Sequence, residues 1–134
     1  MLMRNIKKIL KTSLNVGLDY EQNQNEWLRA TLNKVPPDLR ILDAGAGELR
    51  NKDFCGHLNY VSQDNCQYDG GDNNEPMQTG EWNTSGIDII GDIASIPEAD
   101  GPFDVIMCTE VFEYLPYPIP AIKEFQRLLK KMGC

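Results

Sequence analysis

The sequence predicts an α/β fold in which N-terminal helices precede a parallel sheet of about four strands. From residue 38 onward, short apolar runs alternate with segments of helical spacing, as they do in βαβ units. The apolar runs lack a regular polar alternation, which is typical of strands that are covered on both faces. We therefore expect one domain, with a helical cap over residues 1–37 and a sheet-containing core over residues 38–134.

Composition and charge exclude several classes of function. The 134 residues are 41% hydrophobic and 25% charged, as in an ordinary globular domain. The formal net charge of −7 disfavours nucleic acid and anionic membranes as partners, because both attract basic surfaces. The cysteines show no C-x-x-C spacing, and with the single His57 they predict no metal site. Free thiols and a cytoplasmic location are the expectation.

Two helices are predicted ahead of the sheet. The first covers residues 6–14, and the second covers residues 20–35, where Asp19 is placed to cap it and Pro36 to stop it. The apolar stripe of the second helix consists of Trp27, Leu28, Leu32 and Val35. We expect these helices to cover a sheet edge or the mouth of a pocket.

Four strands and two further helical segments are predicted in the core. The strands are RILDAG (40–45), LNYVSQD (58–64), GIDIIGDI (86–93) and FDVIMCTEV (103–111). A short helical segment is expected over residues 48–54, and an amphipathic helix over residues 119–132. The apolar face of that last helix consists of Ile119, Ile122, Phe125, Leu128 and Leu129.

Acidic and small residues gather at the carboxyl ends of the predicted strands, where open parallel sheets bind ligands. In strand order they are Asp43, Gly45, Gly47 and Glu48, then Asp64 together with Gln63, then Asp92 and Ile93, then Cys108, Thr109 and Glu110. The glycines let the backbone approach a ligand closely. Asp64 follows Asp43 by 21 residues, so it is placed to hold the hydroxyls of a ribose. Asp92 can accept from an exocyclic amine of a base.

The turn after the first strand discriminates between nucleotides. A dinucleotide fingerprint needs a third glycine beside the pyrophosphate, but Arg50 stands at that place and Glu48 directly follows Gly47. A carboxylate repels pyrophosphate and suits an ammonium or a sulfonium. The pattern favours S-adenosylmethionine, with an NAD-binding oxidoreductase as the remote alternative.

The stretch ILDAGAGE and the segment from Glu110 to Pro118 resemble motifs of a known family. The first resembles the opening motif of class I S-adenosylmethionine-dependent methyltransferases. The second resembles the E-x-x-E-H-x-P-x-P segment of ubiquinone-biosynthesis-type O-methyltransferases and their small-molecule relatives. The resemblance covers about residues 38–133 and implies a Rossmann-like fold with strand order 3-2-1-4-5-7-6. It also implies methyl transfer from S-adenosylmethionine to an unidentified small-molecule acceptor.

The resemblance also implies roles at the methionine and ribose end of the cofactor. Asp43, Gly45 and Gly47 shape the turn around the methionine part. Glu48 lies near the amino end of that part, and Asp64 holds the ribose hydroxyls.

At the other end of the cofactor, the resemblance implies that Asp92 and Ile93 hold the adenine. Thr109 and Glu110 line the pocket near the reacting methyl, with Tyr20 or Trp27 closing over it. Glu110 and Tyr114 are the candidates for a catalytic role. The family often has His in place of Tyr114, and a tyrosine with an ordinary pKa near 10 is a poor base at neutral pH.

The sequence departs from the family after its last predicted helix. It reads LLKKMGC where the family has an L-K-P-G-G turn and a fifth strand. We expect a truncated gene product or a fragment completed by association, with the fourth strand as an exposed edge that pairs two copies into a homodimer. A non-catalytic cofactor-binding module is the alternative function. The loop Asn65–Gly86, which contains Tyr68 and Trp82, either takes part in acceptor recognition or is an irregular surface loop.

Overall fold

The computed structural model describes residues 19–67 and 85–131 of the chain. The predicted helix over residues 6–14 and most of the Asn65–Gly86 loop, with Tyr68 and Trp82, lie outside the described residues. The chain divides into two compact units, Met1–Val35 and Pro36–Cys134.

Helix α1 covers residues 19–33 of the first unit and ends shortly before Pro36, which agrees with the predicted second helix. Leu28 and Leu32 are buried, but Trp27 is 66% exposed, so its predicted place in the apolar stripe is wrong. The Trp27 carbonyl accepts a hydrogen bond of 2.8 Å from the Thr31 hydroxyl. In the described part of the chain, no helix has the length and apolar character needed to cross a membrane.

The second unit contains a parallel sheet of four strands, in the order β3-β2-β1-β4. The strands are β1 (Arg40–Ala44), β2 (Asn59–Asp64), β3 (Ile89–Ile90) and β4 (Val105–Met107). This order confirms the predicted arrangement of the first four strands. Four of the five residues of β1 are buried, because β1 lies between β2 and β4.

Strands β3 and β4 are shorter than predicted. The Asp88 carboxylate accepts from the backbone N–H of Ser62 at 2.9 Å, and this side-chain bond occupies a position that a longer β3 would use. Beyond Ile90 the chain turns, and Asp92 accepts from the backbone N–H of Ala94 at 2.8 Å. Asp92 therefore lies two positions past the end of β3 rather than within it.

The connection between β1 and β2 contains less helix than predicted. Only a 3-10 helix forms there, over Lys52–Cys55. Leu49 has a φ of 63°, which a right-handed helix cannot contain, so the predicted segment over residues 48–54 begins with turns. The connection between β3 and β4, for which no helix was predicted, consists of turns and irregular segments over residues 91–102.

Helix α2 (Pro118–Leu128) begins with a proline in its first turn, where a missing N–H costs nothing. Its buried residues are Ala121, Glu124 and Leu128. Ile119 and Ile122 are more than half exposed, so the predicted apolar face was wrong at these two positions. Glu124 is held in its buried position by hydrogen bonds from the Ile96 N–H and from Arg127.

The main core packs α2 and the β3–β4 connection against one face of the sheet. Its buried members are Leu42, Ala44, Ile96, Phe103 and Leu128. Alternation along β1 directs Asp43 and Ile41 to the opposite face.

The outer edge of β4 is covered at its beginning. Phe103 donates its N–H to the Leu128 carbonyl at 3.1 Å and accepts from the Lys130 N–H at 2.8 Å. Leu129 therefore forms a parallel bridge with Phe103 and is not part of α2 as predicted. Among the described residues, no strand pairs with the outer edge of β4 beyond this bridge.

Candidate functional site

The backbone takes left-handed conformations where the strands end. After β1, φ is 77° at Gly45, 54° at Gly47 and 63° at Leu49; it is 55° at Cys66 after β2 and 54° at Glu110 after β4. Such conformations are unfavourable for residues with a side chain and concentrate at functional sites. Of the four described non-glycine residues with a positive φ, three lie at the carboxyl edge of the sheet, where a ligand-binding rim is expected, and one, Asp38 with a φ of 68°, precedes β1.

Gly45 is required for two separate reasons. Its φ is positive, and a Cβ at this position would lie 2.4 Å from Cγ2 of Val111. The N–H groups of Gly45 and Ala46 both donate to the Gln63 carbonyl at 2.9 Å, which fastens the turn to β2. Gly45 is therefore needed for Val111 to pack against the turn, independently of any ligand.

Asp64 joins the tip of β2 to the glycine turn. Its Oδ2 accepts from the Gly47 N–H at 2.9 Å, and its Oδ1 accepts from the Cys66 N–H at 2.9 Å. A carboxylate has about four lone-pair sites, so each oxygen can accept one further hydrogen bond. Two adjacent hydroxyls are a ligand that this carboxylate, already fixed in orientation, can bind.

Gln63 connects the turn after β1 with the end of β3. It is buried, its Oε1 accepts from the Gly45 N–H at 3.2 Å, and its amide donates to the Gly91 carbonyl at 2.7 Å. The Gln63 side chain therefore fixes the position of Gly45 and that of Gly91, which directly precedes Asp92. Sequence reasoning placed Gln63 at the rim without this role.

Asp43 is a carboxylate with only one of its two oxygens bound. It is 1% exposed, and its Oδ2 accepts from the Tyr60 hydroxyl at 2.6 Å. Its Oδ1 is buried and has no hydrogen-bond partner among the described residues. Burial, opposed by the Tyr60 hydrogen bond and assisted by the negative charge of Asp64, raises the pKa of Asp43 from 3.8 to about 6.

Two thiols lie in the field of Asp43. Burial, and secondarily the charge of Asp43, raises the pKa of Cys55 to about 11. Burial also raises the pKa of Cys108 to about 11, with contributions from Asp43 and Glu113. Both thiols are therefore neutral at physiological pH and are poor nucleophiles. The groups that act on the pKa of Asp43 are the neutral Tyr60 and the negative Asp64, which disfavours an anionic ligand.

The remaining predicted site residues are joined to this network to different degrees. Thr109 accepts from the Asn51 amide at 3.1 Å, which links the end of β4 to the β1–β2 connection. Ile93 packs against the main core, so part of its surface is used by the fold. Glu48 pairs with Arg50 at 3.6 Å, and Tyr114 is 80% exposed.

Metal ligation has no support in the region that the structure describes. Within residues 19–67 and 85–131, no group of three or more His, Cys, Asp or Glu side chains could hold a metal ion.

Comparisons with known proteins agree with this geometry. A family model described as a methyltransferase domain matches residues 42–134, from the middle of β1 onward. The chain belongs to this methyltransferase domain family. No curated protein matches its sequence.

Two solved structures share the fold of this methyltransferase-family chain. The YcgJ protein of Bacillus subtilis superposes with a TM-score of 0.60 at 19% identity, covering 84% of this chain and 48% of that protein. A candidate S-adenosyl-L-methionine-dependent methyltransferase of Methanococcus maripaludis superposes with a TM-score of 0.61 at 16% identity, covering 95% of this chain and 60% of that one. The chain thus spans about half the length of the first and three fifths of the second.

Sequence reasoning missed Tyr60, Ser62 and Val111 as supports of the rim. A signal for the first two was present, because polar side chains in a strand next to the central strand must find hydrogen-bond partners. Ser62 is buried and bonds to Asp88, while Tyr60 bonds to Asp43. Val111 gave no such signal, since its role depends on the path of the chain after β4.

Proposed function

We propose that the chain binds S-adenosylmethionine at the carboxyl ends of its strands and takes part in methyl transfer to a small-molecule acceptor. The observation that carries the proposal is the Asp64 carboxylate, which bonds to the Gly47 turn and keeps lone pairs for a pair of hydroxyls. The half-bound Asp43 beneath the same turn supports a cationic rather than a phosphate-bearing ligand. Glu48 beside the turn favours the same choice and disfavours NAD.

The other end of the ligand is proposed to lie against Asp92 and Ile93. The second oxygen of Asp92 accepts no hydrogen bond from the described residues, so it can accept from an exocyclic amine. The partly exposed side of Ile93 can pack against a flat ring, although its other side packs against the core. Gln63 holds Gly91 and therefore sets the distance between these groups and the glycine turn.

Positioning is proposed to be the main contribution of the chain to the reaction. S-adenosylmethionine supplies a methyl group on a sulfonium, and transfer needs an acceptor held in line within about 3.5 Å. Thr109 and Glu110 are the candidates for the wall of that space, and the left-handed φ of Glu110 fixes its direction. Tyr114 is the candidate for contact with the acceptor, because its exposed ring stands clear of the core.

Calorimetry with S-adenosylmethionine and S-adenosylhomocysteine tests the binding step. We expect both to bind, and Asp64→Asn to weaken binding about tenfold to a hundredfold because hydrogen bonds to the charged carboxylate are lost. Asp53→Asn is the matched control, since Asp53 is an exposed acid on the 3-10 helix. Absence of binding at millimolar ligand would refute the proposal, and preferential binding of NAD would support the oxidoreductase alternative.

Transfer of a labelled methyl group to a panel of small-molecule acceptors separates an enzyme from a non-catalytic binding module. Ligand binding together with transfer supports the enzyme. Binding without transfer to any acceptor supports the module.

We also propose that two copies pair along the outer edge of β4 beyond Phe103, and that the protein resides in the cytoplasm. An unpaired strand edge favours pairing with another chain, and Cys55, Cys66 and Cys108 are free thiols. Light scattering over a range of concentrations should show a dimer, and a monomer at every concentration would contradict the pairing.

A further inference from the structure

The Tyr60 hydroxyl binds one oxygen of the Asp43 carboxylate and so determines which oxygen is left for a ligand. We propose that Tyr60 is a positioning residue: its hydroxyl holds Oδ2 of Asp43, so that Oδ1 receives the ammonium group of a bound S-adenosyl ligand, directly or through one water. This role rests on the proposed function and adds a residue that no motif of the turn contains.

The register of the sheet explains why Tyr60 reaches Asp43. Tyr60 lies opposite Ile41 in the parallel ladder, and Asp43 is two residues further along the same face of β1. A long, rigid side chain is needed to span that offset, and the phenol ends 2.6 Å from Oδ2. This distance is typical of a hydroxyl that donates to an ionised carboxylate.

The hydrogen bond fixes the rotation of the carboxyl group. With Oδ2 held by Tyr60, Oδ1 cannot exchange places with it, and Oδ1 is the buried oxygen without a partner. A buried polar atom without a hydrogen bond is unfavourable until a donor arrives. An incoming ammonium supplies both the donor and the charge that compensates the ionised carboxylate.

Among the described residues, no cation forms an ion pair with Asp43. The groups that face it are Tyr60 and Asp64 from β2, Cys55 from the 3-10 helix and Cys108 after β4. The ammonium of Lys52 lies over the Tyr60 ring, 6.0 Å from its centroid. The pKa values of Tyr60 and of both thiols are raised, chiefly by burial, so these three groups stay neutral between about pH 5 and pH 8.

The direct test compares two ligands on native protein and on Tyr60→Phe. The ligands are S-adenosylhomocysteine and its analogue in which hydrogen replaces the amino group, both measured by calorimetry. We expect Tyr60→Phe to weaken binding of S-adenosylhomocysteine about tenfold at a pH near 6 and to leave binding of the deaminated analogue unchanged. An equal loss for both ligands would show a merely structural role and overturn the inference.

The pH profile gives a second readout. Loss of the Tyr60 hydrogen bond removes a contribution that lowers the pKa of Asp43, so the acid limb of binding should move to higher pH. The ligand ammonium is itself protonated throughout this range, below about pH 7.7. In an Asp43→Asn background, Tyr60→Phe should no longer shift the profile. Tyr117→Phe is the matched control, because its hydroxyl is on a 77% exposed side chain outside the site.

Carbon-13 NMR titration of Asp43 in the ligand-free protein separates this inference from the proposed function. If native protein binds no S-adenosyl ligand, the proposed function fails, and the titration still decides whether Tyr60 orients Asp43. A higher titration midpoint in Tyr60→Phe than in native protein and Tyr117→Phe supports the orienting role. An unchanged midpoint overturns it.

Discussion

Two buried carboxylates in the core unit have opposite surroundings. Glu124 on α2 has both oxygens bound: Oε2 accepts from the Ile96 N–H at 2.9 Å, and Oε1 pairs with Arg127. Asp43 at the end of β1 has one oxygen bound by Tyr60, one oxygen without a partner, and a like charge nearby on Asp64. A satisfied buried carboxylate holds the fold together, whereas a half-satisfied one indicates where a ligand completes the structure.

The Glu124 region is a closed network. The Arg127 guanidinium also donates to the carbonyls of Glu98 and Ile96 at 2.8 and 3.0 Å and pairs with Asp100 at 2.9 Å. Glu124 and Asp100 raise the pKa of Arg127, so it remains charged. Together these contacts fasten the helix-free β3–β4 connection to α2.

The largest expected effect breaks this closed network. Glu124→Ala leaves the Ile96 N–H and part of Arg127 without partners, and we expect a loss of about 3 kcal/mol in the free energy of unfolding. Urea unfolding followed by circular dichroism measures it. Lys123→Ala, an exposed neighbour on the same helix, should change stability by less than about 0.5 kcal/mol. A loss equal to that of the control would mean that the network carries no stability.

Gly45→Ala tests whether the turn beside Asp43 is strained. A left-handed alanine costs about 1 kcal/mol, and contact of the new Cβ with Val111 should raise the total loss to about 2 kcal/mol. Adding Val111→Ala should relieve the contact but not the backbone cost. Gly56→Ala is the control, because Gly56 has a φ of −60° and no atom within 4 Å of an added Cβ. Equal effects at Gly45 and Gly56 would contradict this account of the turn.

Asp43→Asn should separate stability from binding. The rise in pKa from 3.8 to about 6 means that the ionised form opposes folding by up to about 3 kcal/mol at neutral pH. Removing that charge should therefore stabilise the protein at pH 7 by about 1–2 kcal/mol, while S-adenosylhomocysteine binding falls. Glu124→Gln, the matched change in the closed network, should destabilise instead. Destabilisation by Asp43→Asn at neutral pH would refute the contrast between the half-bound Asp43 and the fully bound Glu124.

The raised pKa of Asp43 predicts that the stability of the protein depends on pH. Folded protein takes up a proton on Asp43 near pH 6, and unfolded protein only near its ordinary value, so this group adds stability as pH falls from about 6 to about 4. The Asp43→Asn variant should lack this increment in thermal unfolding measured across pH. An identical pH dependence in both proteins would show that Asp43 titrates normally.

The smallest expected effect concerns the surface. Lys130 pairs with Asp104 at 2.9 Å, and together with the Arg40 backbone N–H it lowers the pKa of that carboxyl. Since the lysine is more than half exposed, Lys130→Gln should lower stability less than any of the destabilising changes above, and the difference should shrink in high salt. A larger, salt-independent loss would give the pair a structural role like that of Glu124.

Prediction from sequence succeeded where a single local signal sufficed. Apolar runs ending in Asp43 and Asp64 are strands that end at those acids or one residue later, and the order of the four strands agrees with the one that the family resemblance implied. It failed where a partner distant in sequence decides the outcome. Ile119 and Ile122 have helical spacing with the core residues of α2, yet they are exposed, because Ala121, Glu124 and Leu128 form the buried face of the helix.

The sequence by itself determined the presence of the four strands and the acidic, glycine-containing rim at their ends, because both follow from local periodicity, turn chemistry and the rules of parallel sheets, while the strand order was implied by the family resemblance. Tertiary structure alone decided which carboxylates are satisfied. The Tyr60 hydroxyl reaches Asp43 through register across the sheet, and the Ile96 N–H reaches Glu124 from 28 residues away. Hydrogen bonds between elements depend on distances that periodicity does not encode, so the difference between a structural acid and a ligand-binding acid appears only after folding.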